Sequence, residues 1–248
     1  MIDLHSHVLP GLDDGADDLE EALAICRAAA ADGIEAIAGT PHVRHDHGTT
    51  AGAMEAALAA LREAAGDLIR ILPGGELDLA ELDRPRDELA RFGLGGNPDY
   101  LLVETPYVGW PLDLGERLFR LRASGIRPVL AHPERNAEVQ ARPELIEPLV
   151  HAGALVQLTA AAVDGREGRR SKQCALTLLE RGLAHLIASD AHAPQIREVG
   201  MSAAVRELRD DALARWLTVE VPRAIVDGDA VPPRPDQARP RRRWRGAA

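Results

Sequence analysis

The residues of this chain that could do chemistry are histidines and carboxylates set close together at several points. His5 and His7 stand two positions apart near the N-terminus, and Asp190 and His192 follow a later apolar run. In an extended segment, residues two apart point to the same face, so both imidazoles of the first pair can reach one ion. Imidazole and carboxylate ligands without thiolate suit manganese, iron, zinc or magnesium. This pattern predicts a divalent metal site.

The elements that must position these residues are short apolar runs that alternate with helical patterns. Short, mostly apolar runs are typical of strands buried on both faces. The predicted strands cover residues 2–4, 34–40, 68–72, 100–105, 128–131, 154–158 and 185–188. The predicted helices cover residues 17–31, 51–65, 79–92, 113–124, 143–151 and 171–181. This alternation predicts an α/β fold with parallel strands, arranged as a closed barrel or an open doubly wound sheet.

Candidate ligands follow almost every predicted strand. Six of the seven strands carry a His, Asp or Glu close to the carboxyl end, which argues against a chance distribution. The candidates are His5, His7, Asp14, His42, Glu76, Glu104, His132, Asp190 and His192. The carboxyl ends of parallel strands meet at one face, where barrel enzymes build their sites. Nine ligands are too many for one ion, so we expect two or three metal ions with Glu76 as a bridge.

Size and composition restrict the class of protein. A chain of 248 residues fits one large α/β domain, and 46% hydrophobic residues with only 3% aromatics predict an aliphatic core. The net charge of −10 argues against nucleic-acid binding, which requires many basic residues. We expect residues 1–230 to form the domain and residues 231–248, which are rich in Pro and Arg, to form a flexible tail.

The sequence also indicates a cellular location. The start MIDLHSH has neither the basic nor the apolar region of a signal peptide, and no apolar run is long enough to cross a bilayer. Cys26 and Cys174 lie in apolar helical patterns, and two cysteines in a chain of this size form no disulfide framework. We therefore expect a cytoplasmic protein with two buried thiols.

Six segments together resemble the bacterial protein-tyrosine phosphatases of the PHP (polymerase and histidinol phosphatase) family, which are associated with capsular and exopolysaccharide synthesis. The segments are MIDLHSHVLPGLDDGADD, TPHVR, GGEL, LLVETP, AHPERN and IASDAH. They stand in the expected order. The resemblance implies a distorted (β/α)7 barrel of the PHP type with a three-metal cluster, in which manganese is the expected metal.

The resemblance also implies how the ligands are divided. His5, His7, Glu76 and Asp190 would hold one ion, Glu76, Glu104 and His132 a second, and Asp14, His42 and His192 the third. Asp13 competes with Asp14 for its place. Because many other PHP enzymes have His where this chain has Glu104, that residue favours the tyrosine-phosphatase branch over the histidinol-phosphatase branch.

The expected reaction is attack of metal-bound hydroxide on the phosphorus, in line with the leaving oxygen. Arg135 and Arg197 are the candidates for clamping the phosphate, since a guanidinium fork fits it at two points, and Arg44 is a further candidate. His42 or a metal-bound water could donate a proton to the leaving group. Thiolate catalysis is excluded, because neither cysteine has an Arg six positions later.

Three functions follow from these observations. The first is a phosphatase for phosphotyrosine in proteins, with a tyrosine kinase of polysaccharide synthesis as a possible substrate. The second is a small-molecule phosphatase of the histidinol-phosphate type, and the third is a non-catalytic metal-binding regulatory module. The remaining histidines are expected to lie outside the metal site. They are His45, His47, His151 and His185.

Overall fold

The computed structural model describes residues 1–192 and 198–235. Within these ranges, all paired strands run parallel. The strands are β1 (Ile2–Ser6), β2 (Ala36–Gly39), β3 (His42–Val43), β4 (Arg70–Pro73), β5 (Glu76–Leu77), β6 (Tyr100–Glu104), β7 (Arg127–Ala131), β8 (Leu155–Thr159) and β9 (Leu186–Ala188). Their residues are almost all buried, as expected for strands covered on both faces.

The strands close into a barrel. Three of them pair in the order β1-β2-β4, and six pair in the order β3-β5-β6-β7-β8-β9. β2 and β3 are consecutive pieces of one interrupted strand, and β4 and β5 are pieces of the next. The ring closes where Ser6 pairs with Ala191 and where the Asp190 amide donates to the His5 carbonyl at 2.7 Å. Seven strand positions therefore surround the core, which confirms the distorted (β/α)7 barrel.

The short second pieces, β3 and β5, lie beyond the strands predicted at 34–40 and 68–72 and were not predicted. Pro41, between β2 and β3, has no N–H to donate to a ladder. Gly74 and Gly75 separate β4 from β5, and a Cβ at Gly75 would lie 2.8 Å from the Phe92 ring. His42 and Glu76 occupy directly paired positions in the short second pieces.

Helices cover the outside of the barrel. They are α1 (Leu19–Ala31), α2 (Ala51–Ala65), α3 (Arg86–Ala90), α4 (Leu114–Ala123), α5 (Ala137–Ala141), α6 (Glu147–His151), α7 (Ala160–Asp164), α8 (Arg169–Glu180), α9 (Met201–Leu208), α10 (Asp211–Arg215) and α11 (Val221–Asp227). Two helices begin at residue types that commonly cap helix N-termini. The Asp18 carboxylate accepts from two amides of α1, and the Thr50 hydroxyl accepts from one amide of α2. None of these helices is long and apolar enough to cross a membrane.

Two predicted helices are broken in the structure. Residues 79–92 form a 3-10 helix (Leu79–Asp83) and then α3, because Arg84 adopts the extended conformation required before Pro85. Residues 143–151 begin as a 3-10 helix (Pro143–Ile146) before α6. Helices α5, α7 and α9 to α11 were not predicted.

The segment after α11 stays on the domain as far as it is described. The Trp216 indole donates to the Pro232 carbonyl at 3.0 Å, and the Arg234 guanidinium donates to the Leu179 carbonyl at 2.7 Å. Residues 236–248, which make up most of the expected tail, lie outside the described residues.

Candidate metal centre

The nine candidate ligands come together at the carboxyl end of the barrel. Four of them lie in strands that end there, and the other five lie in the loops that follow. Eight are buried, and Asp14 is exposed. Their nitrogen and oxygen atoms form four overlapping groups, each compact enough to surround an ion. The groups are His7, Asp14, His42 and His192; His5, His7 and Asp190; His5, Glu76 and His132; and His42, Glu76 and Glu104.

The tightest part is a cage of four side chains. The Nε2 atoms of His5 and His7 lie 3.3 Å apart, and each lies 3.2 or 3.3 Å from Asp190 Oδ1. Glu76 Oε2 lies 3.3 Å from the first nitrogen and 3.5 Å from the second. Ligands about 2.0–2.2 Å from one cation are separated by about 3.0–3.5 Å in tetrahedral or octahedral arrangements. The spacing therefore fits one divalent ion.

Glu76 lies between this cage and its neighbours. Its Oε1 is 2.9 Å from His132 Nε2, and its Oε2 is 3.1 Å from His42 Nδ1. Glu104 Oε2 lies 3.6 Å from the same His42 nitrogen. By distance, His42 therefore joins Glu76 and Glu104, while the sequence-based partition grouped those two carboxylates with His132. The central place of Glu76 suits a carboxylate that bridges two ions.

The third group includes the loop after β1. Asp14 Oδ1 lies 3.6 Å from His42 Nε2 and 3.5 Å from His192 Nε2. Asp13 points elsewhere, because its Oδ2 lies 2.6 Å from His7 Nδ1 and accepts the His42 amide at 2.8 Å. Of the two adjacent aspartates, Asp14 is the one among the imidazoles, and Asp13 supports His7 from behind.

Hydrogen bonds behind the histidines orient their rings. His5 Nδ1 faces Gln157 Oε1 at 2.9 Å, His7 Nδ1 faces the Asp13 carboxylate, and His192 Nδ1 faces the Asp190 carbonyl at 2.9 Å. Each of these oxygens can only accept, so each Nδ1 carries the proton and each Nε2 offers its lone pair to the centre. Such partners commonly fix the tautomer of metal-binding histidines.

Sequence reasoning missed Gln157 and Asp3. Gln157 is the polar residue in the middle of the buried strand β8, the strand that carries no candidate ligand. Asp3 is also buried, and it accepts from the amide and hydroxyl of Ser189 and from the His5 amide. Burial raises its pKa to about 6. A polar residue inside an apolar strand was the signal that could have found both.

The backbone is constrained at two candidate ligands. His132 and Asp190 have φ angles of 35° and 51°, in the left-handed region that non-glycine residues seldom adopt. Such conformations persist where the surrounding structure enforces them, often at functional sites.

The electrostatics of the centre favour a cation. Burial alone would raise the pKa of Glu76, but His5 and His132 hold it well below its usual range. Burial raises the pKa of Glu104 to about 7, and the negative charge of Glu76 contributes. Burial lowers the pKa of His42 to about 4, which keeps this ring neutral near pH 7.

Within the described residues, Glu76 Oε2 and His42 Nδ1 are buried without a hydrogen bond. Buried polar atoms of this kind call for a partner, and the donor set is that of a divalent metal.

The predicted phosphate-binding arginines have different outcomes. Arg135 lies beside the cage, where its guanidinium donates to Asp190 Oδ2 at 2.5 Å and lies 2.5 Å from Glu167 Oε1. Arg44 lies over Glu104, with N–O distances of 3.4 and 3.5 Å. Arg197 lies outside the described residues, so its role stays a prediction.

The four histidines expected outside the centre belong to none of the four groups. His47 nevertheless contacts the edge of the centre: its ring stacks on that of His42 at 5.3 Å between centroids. It is partly buried, whereas His45 is exposed as expected. The sequence of this loop shows no pattern that distinguishes the two.

Comparisons with known proteins agree with this geometry. A family model described as "Capsular polysaccharide synthesis, CpsB/CapC" matches residues 1–226. The chain is 36% identical to the tyrosine-protein phosphatase YwqE of Bacillus subtilis over 77% of both chains. It is 31% identical to the putative tyrosine-protein phosphatase CapC of Staphylococcus aureus, again over 77% of both.

A solved structure is also similar over nearly the whole chain. It comes from a study of YwqE from Bacillus subtilis and CpsB from Streptococcus pneumoniae, described as unique metal-dependent tyrosine phosphatases. The TM-score is 0.85 with 31% identity, and the match covers 95% of this chain and 99% of the other. The chain therefore belongs to the CpsB/CapC family of capsular polysaccharide synthesis.

Proposed function

We propose that this chain is a metal-dependent protein-tyrosine phosphatase that hydrolyses the phosphate ester of phosphotyrosine in proteins. The observation that carries the proposal is the convergence of nine imidazole and carboxylate side chains at one end of the barrel, next to the Arg135 guanidinium. The names of similar chains from Bacillus subtilis and Staphylococcus aureus support the same activity. Residues 1–230 form the proposed catalytic domain.

The proposed ligands are the nine side chains of the centre, which would hold two or three divalent ions. The cage of His5, His7, Glu76 and Asp190 would hold the first ion, since its atoms are spaced for a single cation. Glu76 would connect it to a second ion near Glu104 and His132, and Asp14, His42 and His192 would hold a third. Manganese is the proposed metal by family resemblance, with iron, zinc and magnesium as alternatives, because imidazole and carboxylate ligands without thiolate suit all four.

Bound metal ions supply Lewis acidity toward phosphoryl oxygens and lower the pKa of a water molecule. The protein supplies position and charge. Arg135 is held between Asp190 and Glu167, and its guanidinium would bind two phosphoryl oxygens with little loss of side-chain freedom. A tyrosine leaving group has a pKa of about 10 and needs less acid assistance than an alkyl alcohol. A neutral His42 is therefore best used as a ligand rather than as the main proton donor.

The proposed substrate is a phosphotyrosine-bearing protein of the capsular polysaccharide system, with a tyrosine kinase of that system as the first candidate. The family description supports this pathway. We propose a cytoplasmic location, where such a kinase would present its phosphorylated segment.

The experiment that tests the proposal compares substrates and metals on one preparation. The full chain is stripped with a chelator, reloaded separately with manganese, iron, zinc or magnesium, and assayed with a phosphotyrosine peptide and with histidinol phosphate. We expect two or three metals per chain by elemental analysis, and metal-dependent turnover of the peptide that is fastest with manganese.

Three results would contradict the proposal. Unchanged peptide turnover in the fully chelated protein would remove the metal from the reaction. Preferred turnover of histidinol phosphate would favour a small-molecule phosphatase. Protein that holds its metals but hydrolyses neither ester would be a regulatory module.

A further inference from the structure

One aromatic side chain stands at the edge of the metal centre. The Tyr107 ring lies parallel to the His132 imidazole, with an angle of 4° between the planes and 6.0 Å between the centroids. The side chain is half exposed, so one part of it faces solvent at the mouth of the site. Burial raises the pKa of the Tyr107 hydroxyl, and the positive charge of Arg135 opposes that rise. Tyr107 therefore adjoins both a candidate metal ligand and the candidate phosphate clamp.

The turn that carries Tyr107 is held firmly. The Asn136 amide group donates to the Pro106 carbonyl at 2.6 Å and to the Gly109 carbonyl at 3.0 Å. The Tyr107 carbonyl accepts from the Ala137 amide at 3.0 Å. Asn136 is fully buried, so the donor of these bonds is fixed inside the protein. An exposed aromatic on a tethered turn loses little conformational freedom when a ligand packs on it.

Exposed aromatic surface is uncommon within residues 1–192 and 198–235. The chain has two tyrosines, two phenylalanines and three tryptophans; among those described, Tyr100, Phe92 and Trp216 are buried and Trp110 is partly buried. Phe119, on the outer helix α4, is the exposed phenylalanine. The half-exposed Tyr107 thus adds an aromatic ring face to a site whose other groups, the ion cage and Arg135, are charged or metal-binding.

We propose that Tyr107 is a specificity-determining residue whose ring packs against the aromatic ring of the substrate and so favours aryl over alkyl phosphates. The inference rests on the proposed phosphatase function and extends it to substrate choice. In an aryl phosphate, the ring is joined to phosphorus through a single oxygen. When the phosphoryl group lies at the metal centre beside Arg135, this ring lies at the rim where Tyr107 stands. Offset aromatic pairs contribute affinity beyond simple burial.

The test measures binding rather than turnover, by calorimetry on the manganese-loaded full chain. The probes are benzylphosphonate, which has the length of an aryl phosphate and cannot be hydrolysed in the same way, and methylphosphonate, which has the same charged group without a ring. The wild-type protein should bind benzylphosphonate more tightly. In Tyr107→Ala, the ratio of the two dissociation constants should fall about three- to tenfold, with methylphosphonate affinity nearly unchanged.

Two further variants separate the possible causes. Tyr107→Phe keeps the ring and removes the hydroxyl that faces Arg135, so it should keep the wild-type ratio. Phe119→Ala removes an exposed aromatic from the outer surface of α4 and should also keep it. An unchanged ratio in Tyr107→Ala, or an equal loss of affinity for both phosphonates, would overturn the inference.

These outcomes are distinct from failure of the proposed function. If the phosphatase proposal is wrong, the wild-type protein does not hydrolyse the phosphotyrosine peptide. If only the inference about Tyr107 is wrong, the wild-type protein hydrolyses the peptide, but the ratio of the two dissociation constants is the same in Tyr107→Ala as in the wild type.

Discussion

His5 at the carboxyl end of the barrel and His185 at the amino end have pKa values shifted in opposite directions. At the carboxyl end, burial lowers the pKa of His5, but the negative charges of Glu76 and Asp190 outweigh it and leave the pKa raised. At the amino end, His185 precedes β9 and lies near Trp216, and burial lowers its pKa to about 4. His5 is thus drawn toward a positive charge by its carboxylates, whereas His185 is kept neutral, as His42 is at the carboxyl end.

The difference lies in the neighbours and not in the depth of burial alone. The charged groups that act on His185 are Arg127 and Arg234, both of which lower its pKa further. Its Nδ1 accepts the Val156 amide at 3.2 Å, which joins β8 to the start of β9. A histidine beside a barrel strand is therefore a credible ligand only where carboxylates converge on it. Elsewhere it serves the fold.

The largest expected effect comes from removing a candidate ligand at the carboxyl end. Asp190→Ala or His42→Ala should lower phosphatase activity by more than about 100-fold, since loss of even an outer partner of a metal site typically costs 10–100-fold. Elemental analysis should show fewer metals per chain. The circular dichroism spectrum should stay close to that of the wild type.

The matched control is a histidine from the other end. His151 is exposed at the end of α6 and belongs to none of the ligand groups, so His151→Ala should keep activity within about twofold. Full activity in either ligand variant would show that the residue is not an essential metal ligand. A large loss of activity in His151→Ala would show that histidines at the amino end also matter for activity.

A smaller effect is expected from the support behind the cage. Gln157→Leu keeps the size of the side chain but removes the acceptor for His5 Nδ1. The ring would then be free to rotate or change tautomer, and metal affinity should fall about 10–100-fold. Metal titration followed by activity measures this. Gln157→Glu, which keeps an acceptor, should recover most of the affinity.

A glutamine on the surface provides the comparison for this variant. Gln173 is exposed on α8, and Gln173→Leu should leave metal affinity unchanged. If Gln157→Leu binds metal as the wild type does, the orienting role of Gln157 is wrong.

The sequence predicted which side chains meet at the carboxyl end of the barrel better than it predicted how they are arranged there. Ligands separated by most of the chain, such as His5 and Asp190, could be grouped because parallel strands end at one face. The choice between Asp13 and Asp14 could not be made, because adjacent aspartates in a loop have the same chemistry and only the path of the loop separates their directions. Gln157 was missed because an amide inside an apolar strand belongs to no motif.

The fold shows the same limit. The barrel followed from the alternation of strands and helices together with the family resemblance, but the breaks in two strands did not. The break before β5 depends on the contact between Gly75 and Phe92, which acts through tertiary packing. Pro41 and Pro85 are different, since a proline acts on its own chain neighbours and both breaks were available from the sequence.

The smallest expected effect concerns the amino end and appears in stability rather than activity. The folded-state pKa of His185, about 4, is below its ordinary value of 6.5, so the unfolded chain binds the proton more readily. This contribution is present above pH 6.5 and is lost as the pH falls from 6.5 toward 4. His185→Gln should remove about 1 kcal/mol of that pH dependence, a value reduced for the partial exposure of the ring. Urea unfolding of the variant and the wild type at several pH values measures this effect. The metal centre titrates in both proteins, so its contribution cancels when their free energies of unfolding are subtracted. If the free energies of unfolding of the variant and the wild type change in parallel with pH, or if the variant loses activity at neutral pH, then His185 does not have the purely structural role assigned to it.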